Sequence, residues 1–244
     1  MQNIMTEIQL EKYAALLVNY SVRLKAGERL LIDSTTLAEP LVRAIYTAAL
    51  RVGGIPFTLL TFENQSNIRH QYASPEQIAA VNPLYAEAMQ NFDAYIVVRA
   101  PYPNKKTVAP TEAQHNAYNA SHAPYRRAYA ARTANLSLRR NLCEYPTATN
   151  AAYAGMTLSE YSNFIQHACF LHEEDPIAHW LEISRFQQQV VDYLNKCKTL
   201  RYVNAESDLT MSIAGRKWMN SDGCTNMPSG EVFSSPVENA VDGQ

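Results

Sequence analysis

The 244-residue sequence is short of the features by which many chains declare a compartment or a ligand. Met1-Gln2-Asn3 is followed by Glu7, Glu11, Lys12 and Arg23, a pattern unlike a charged leader before an apolar core, so no export signal is expected. No apolar run approaches the roughly 18 residues of a membrane span. A soluble, cytoplasmic protein without a membrane partner is expected. Neither sign of charge prevails: the formal net charge is -2 and the pI about 6.3, which gives no overall electrostatic footprint for nucleic acid. The cysteines, Cys143, Cys169, Cys197 and Cys224, contain no C-x-x-C pair. Their spacing suits neither a zinc knuckle nor a small disulfide scaffold, and reduced thiols are expected.

Motif chemistry is also sparse. Neither G-x-G-x-x-G nor G-x-x-x-x-G-K-[ST] occurs, and the turn Ser34-Thr35-Thr36-Leu37 lacks the glycines that let backbone approach a pyrophosphate, so nucleotide binding loses its main support. His172-Glu173-Glu174-Asp175 begins like a zinc-protease motif, but Pro176 stands where H-E-x-x-H needs its second histidine. The acidic run is read as a solvated, helix-capping turn. His115 and His122 are two helical turns apart, about 10.5 Å of rise, too far to share a metal readily. From Lys105 to Arg140 the chain carries Lys105, Lys106, Arg126, Arg127, Arg132, Arg139 and Arg140 against one acid, Glu112. Basic residues interleaved with aromatics can bind single-stranded nucleic acid. Tyr118, Tyr125 and Tyr129 nevertheless share one helix face, which favours a packing or dimer face with arginines at its rim.

What is present is an alternation of strand-like and helical patterns. Thr6 is a good N-cap for a helix that puts Leu10, Tyr13, Ala14, Leu17 and Val18 on one face. Arg29 to Asp33 is strand-like, and a helical pattern through Leu41, Ile45, Ala48 and Val52 stops at Gly53-Gly54. Further strands are predicted at Ile55–Thr61, Ala94–Val98 and residues 139–144. Ser74-Pro75-Glu76 opens a helix by cap and proline, and Thr157-Leu158-Ser159-Glu160 has capping-box spacing. Asp175-Pro176 starts a long helix whose buried stripe is Ile177, Leu181, Val190, Leu194 and Cys197. Apolar strands alternating with helices predict an α/β domain over residues 1–198, with a mainly parallel sheet covered on both faces.

After residue 198 the texture changes. Leu200 to Asn204, Leu209 to Ile213 and Lys217 to Met219 alternate apolar with polar residues between turn-formers. An antiparallel β-rich domain is expected to begin here, over residues 199–244, and to be incomplete, because a few strands without a covering layer leave an apolar face and open edges. Within it, Glu231 enters a strand directly after Pro228-Ser229-Gly230, a turn that would fix its direction. One carboxylate can ligate a metal but cannot make a hydrolytic site, which needs several carboxylate and imidazole ligands.

The block Gly215-Arg216-Lys217-Trp218, Asn220-Ser221-Asp222-Gly223, Asn226-Met227-Pro228-Ser229-Gly230-Glu231-Val232-Phe233 and Ser235-Pro236-Val237-Glu238 resembles the signature of the M29 metallo-aminopeptidases, the thermophilic metalloprotease or aminopeptidase S/T group. Upstream, Leu10-Glu11-Lys12-Tyr13-Ala14, Glu39-Pro40-Leu41-Val42-Arg43, Tyr145-Pro146-Thr147 and Gly155-Met156-Thr157-Leu158 are similar to family segments, so the resemblance covers nearly the whole chain. It implies an N-terminal α/β domain, a C-terminal domain holding two divalent metal ions of the cobalt or zinc class, a homodimer, and release of N-terminal amino acids from peptide substrates. The family's metal-ligating glutamate falls on Glu231. Asp222 and Glu238 are candidates for orienting such a ligand and equally for bracing the turns. The remaining family ligands lie further downstream than Gln244, so no catalytic residue is assigned and a chain inactive alone is expected. Two alternatives are completion of the site by a second chain through strand addition and a non-catalytic dimerisation or binding module.

Overall fold

A computed structural model describes residues 4–103 and 107–235. The chain forms two compact units, one of residues 1–176 with 224–228, the other of residues 177–223 with 229–244.

In the first unit, α1 (Glu7–Ala15) starts at the predicted cap: Thr6 Oγ1 accepts from the Gln9 amide at 3.3 Å while the Gln9 side chain accepts from the Thr6 amide at 2.8 Å. Its continuation, Leu16–Ser21, widens to π-helical turns, and the Val22 amide reaches back five residues to the Leu17 carbonyl at 3.0 Å. The wider turn buries Leu16, Leu17 and Val18 together, more than one α-helical face would. β1 (Arg29–Thr35) follows, then α2 (Glu39–Arg51) and β2 (Ile55–Thr61). The crossover to β3 (Ala94–Arg99) contains α3 (Gln65–Tyr72), α4 (Pro75–Ala79) and α5 (Pro83–Asn91). The Ser74 cap opens only a short helix, because Pro83 cannot continue it and Asn82 Oδ1 caps a new one by accepting from the Leu84 amide at 2.9 Å. α6 (Glu112–Ala134), β4 (Arg139–Glu144), α7 (Ala148–Tyr153) and α8 (Leu158–Ala168) complete the run.

Among the described residues these four strands and a late one, β8 (Asn226–Met227), form a five-stranded sheet in the order β2-β1-β3-β4-β8, parallel throughout. Leu30, Leu31 and Ile32 in β1 are all fully buried. Successive strand side chains point to opposite faces, so both faces of the sheet are covered there. The fifth strand, β8 (Asn226–Met227), comes from the tail and pairs with Leu142 and Cys143 of β4. Two residues are too few to display a period. Tyr13, fully buried, donates its hydroxyl to the carbonyls of Glu144 (3.2 Å) and Met227 (3.3 Å), joining α1 to both strands.

Of the α6 tyrosines, two are used inside this unit and Tyr118 is exposed. Tyr125 and Tyr129 pack on the cluster of Leu31, Met89, Phe92, Tyr95 and Leu138, with Tyr129 edge-on to Tyr95 at 6.2 Å. Arg132 donates to the carbonyls of Met89, Phe92 and Ser137. Lys105 and Lys106 lie outside the described residues. None of the four cysteines is in a disulfide, and Cys143 and Cys169 are buried. No described helix is long and apolar enough to cross a membrane.

The second unit holds α9 (Pro176–Leu194), the antiparallel pair β5 (Thr199–Val203) and β6 (Asp208–Ser212), and the short antiparallel pair β7 (Met219–Ser221) and β9 (Glu231–Phe233). α9 presents a different stripe from the predicted one: Leu181 is 46% exposed, and Trp180, Ser184, Gln187 and Val191 form the inward face. Two of those positions are polar, which hid the stripe from a search for apolar spacing.

Candidate metal-ligand segment

Glu231 opens β9 and is exposed. Its position is set by the turn before it. Gly230 has φ +117°, a conformation side chains with a Cβ rarely adopt, and its amide donates to the Ser221 carbonyl at 3.0 Å. The β7/β9 pairing places Glu231 opposite Ser221. Ser229 Oγ donates to the same carbonyl at 2.8 Å and lies 2.7 Å from Ser221 Oγ, so the Ser221 hydroxyl donates to Ser229.

α9 locks this frame from one side. Gln187, 5% exposed, directs Nε2 at Asn220 Oδ1 (2.7 Å) and at the carbonyls of Ser221 and Glu231 (3.2 Å each). One amide group thus bridges both strands at the residue pair that carries Glu231. One helical turn earlier, Ser184 Oγ donates to Asp222 Oδ2 at 2.8 Å, and the Ser184 carbonyl accepts from Asn220 Nδ2 at 2.9 Å. Asp222 is half-buried and follows the Ser221–Glu231 pair directly. Glu238 lies outside the described residues. Sequence reasoning missed Gln187, Ser184 and Asn220. The available signal was the pair of polar residues at Ser184 and Gln187, interrupting the stripe between Trp180 and Val191.

Among the described residues no group of three or more His, Cys, Asp and Glu side chains could hold a metal ion. His115 and His122 have separate partners: His115 Nε2 meets Asn119 Nδ2 at 2.7 Å, while His122 stacks on Tyr118 with centroids 3.8 Å apart. The described residues therefore offer one exposed carboxylate at a fixed backbone register, which does not fit a metal by itself.

A parallel α/β unit together with a strand-mounted carboxylate after a glycine turn is the class that fold and geometry define. The family model described as thermophilic metalloprotease (M29) matches residues 6–244, and the chain belongs to that family. It is 25% identical over 255 aligned residues to aminopeptidase T of Thermus thermophilus and 27% identical over 260 to aminopeptidase 2 of Geobacillus stearothermophilus. These alignments cover 96% and 97% of this chain, which spans 62% of each relative's length. The solved structure of wild-type AmpT from Thermus thermophilus superposes with a TM-score of 0.73 at 21% identity, covering 96% of this chain and 63% of that one. That likeness shows the fold.

Proposed function

We propose that this chain supplies the α/β domain and the first metal-binding segment of a cytoplasmic, homodimeric, metal-dependent aminopeptidase, with Glu231 as a ligand to one of two divalent ions of the cobalt or zinc class. The observation that carries the reading is the clamp on Glu231, in which Gly230 and Gln187 fix the backbone of a carboxylate inside a segment of a metallopeptidase family. The chemistry such ions supply is an activated water and a polarised carbonyl. This chain's contribution is to hold one carboxylate at a set register while the side chain stays open. Asp222, held by Ser184, braces the turn or orients a ligand. The substrates are peptides with a free amino terminus, in keeping with the aminopeptidase names of both relatives.

The first test is the nucleotide sequence after codon 244, expected to run on through further Glu and His-x-Asp codons. The 244-residue chain itself is expected not to hydrolyse leucine p-nitroanilide with added Co²⁺ or Zn²⁺. Turnover by it that Glu231→Ala abolishes would overturn the inactivity of this length. The lengthened polypeptide is expected to hydrolyse the anilide and to lose metal and turnover on Glu231→Ala. Full activity in that variant would refute the ligand assignment.

A further inference from the structure

A cavity of about 380 Å³ lies among α3, α4 and α6, wholly within the α/β unit. Its size falls in the range of small-ligand pockets, roughly 300–1,000 Å³. Arg69 and His70 line it from α3, Ile78 from α4, and His115, Tyr118 and Asn119 from α6. Side-chain hydrogen bonds pin the three helices around it. Arg69 Nη2 donates to the Ile78 carbonyl at 2.8 Å and to the Ala80 carbonyl at 3.4 Å, closing the end of α4. Gln114, buried, donates through Nε2 to the carbonyls of His70 (3.0 Å) and Ala73 (2.8 Å), while its Oε1 accepts from the Thr111 amide at 2.8 Å. His70 Nδ1 lies 2.8 Å from the Val108 carbonyl. A carbonyl only accepts, so Nδ1 carries the hydrogen there.

The charge of the lining has one sign. None of the described lining residues is acidic. Both Nη2 hydrogens of Arg69 go to carbonyls, whereas its Nε and Nη1 hydrogens have no partner among the described residues. The field reaches the neighbouring His122: burial pushes that imidazole below its usual pKa, the Arg69 and Arg126 guanidiniums push the same way, and the hydrogen bond to the Tyr118 carbonyl opposes them. No described carboxylate enters that balance.

The remaining choice is between anions. Phosphate sites at helix starts use free main-chain amides, but the amides at the nearby starts are taken: Thr111 Oγ1 accepts from Gln114 at 3.2 Å and Ser74 Oγ from Gln77 at 3.3 Å. A carboxylate asks for less, because the planar Nε–Nη1 edge of one arginine matches its two oxygens. Ile78, Pro110 and the ring of Tyr118, which stacks on His122 with centroids 3.8 Å apart, form an apolar wall beside the charge.

We propose that this cavity binds a small organic carboxylate with an apolar body, its oxygens on the Nε–Nη1 edge of Arg69 and its body against Ile78, Pro110 and Tyr118. The site holds whether or not Glu231 binds metal.

The test is a titration of the nitrogen-15-labelled 244-residue chain, without added metal, followed through its amide NMR shifts. The probes are phenylacetate, its neutral isostere phenylacetamide, and inorganic phosphate. Phenylacetate is expected to saturate one site, with shifts centred on Arg69, His70, Gln114 and Tyr118. Phenylacetamide should bind at least about tenfold more weakly for want of the charge-assisted pair, and phosphate should give no saturable shift at those amides. Arg69→Gln keeps a donor for the Ile78 carbonyl but removes the charge, and should bring phenylacetate down to the level of the amide. Tyr118→Ala removes an exposed ring that none of the pinning hydrogen bonds uses, and should weaken acid and amide alike. Arg43→Gln, on α2, should change nothing. Equal affinity for acid and amide, phosphate binding as tight as phenylacetate, shifts centred elsewhere, no saturation, or unchanged affinity in both cavity variants would overturn the proposal. Should Arg69→Gln fail to fold, the acid–amide comparison and Tyr118→Ala still decide.

Discussion

Gln187→Met tests whether the clamp, rather than the strand pairing alone, holds Glu231 in register. Methionine keeps the size and burial of glutamine but removes both amide hydrogens. Those hydrogens serve three acceptors: Asn220 Oδ1 at 2.7 Å, and the Ser221 and Glu231 carbonyls at 3.2 Å. Ser221 keeps two donors, the Gly230 amide and the Ser229 hydroxyl. Asn220 Oδ1 and the Glu231 carbonyl lose their Gln187 donor, and each such loss costs about 1–3 kcal/mol when the acceptor is kept from water. A local destabilisation of about 2–6 kcal/mol follows, and its lower end corresponds to a roughly thirtyfold larger open population. Native-state hydrogen exchange reads this directly: protection of the Gly230 amide should fall at least thirtyfold while the β5/β6 amides stay within about twofold. Gln187→Glu, which also presents a carboxylate to three acceptors, should be worse. Unchanged protection at Gly230 in both variants would refute the clamp and return the register of Glu231 to β7/β9 pairing alone.

Three further outcomes follow from single contacts. Gly230→Ala should cost about 1–3 kcal/mol from its φ of +117°, read as loss of protection across β7 and β9; a cost below a few tenths would show that the turn relaxes freely. Tyr13→Phe removes the donor to the Glu144 and Met227 carbonyls and should lower stability by about 1–3 kcal/mol, with Met227 exchanging faster; an unchanged urea midpoint would contradict it. Asp33 has its pKa raised by burial, opposed by the hydrogen bond from the Tyr95 hydroxyl. The folded chain therefore binds that proton more tightly than the unfolded one. Asp33 costs nothing below its unfolded pKa of about 3.9 and subtracts stability as pH rises through the folded value. Asp33→Asn should flatten that slope in urea titrations run from acid to neutral pH, and an identical slope in the variant would exclude Asp33 as its source.

The parallel sheet was legible because its strands are short apolar runs bounded by caps whose chemistry is local: Thr6, Ser74 and Thr157 each bind the amide the sequence spacing assigned to them. Where the determinant is long-range, the sequence is silent. β8 is two residues long and takes its partner from β4, some eighty positions earlier. The inward face of α9 contains Ser184 and Gln187, whose purpose appears only when Asp222, Asn220 and Glu231 are brought against them. Glu231 itself stood out through a family motif and a preceding glycine, yet its clamp was invisible, since the residue that forms it lies 44 positions away.

The late strand β8 also governs how this polypeptide can be divided. The α/β unit is not a contiguous stretch of sequence, because its last strand is drawn from residues 224–228 after an excursion of 47 residues, 177–223, into the other unit. A product ending before Cys224, whether a recombinant piece or a proteolytic one, would present the outer edge of β4 bare to other chains and leave Tyr13 without its Met227 carbonyl. On a ribosome the sheet stays one strand short until nearly the whole of this sequence has emerged.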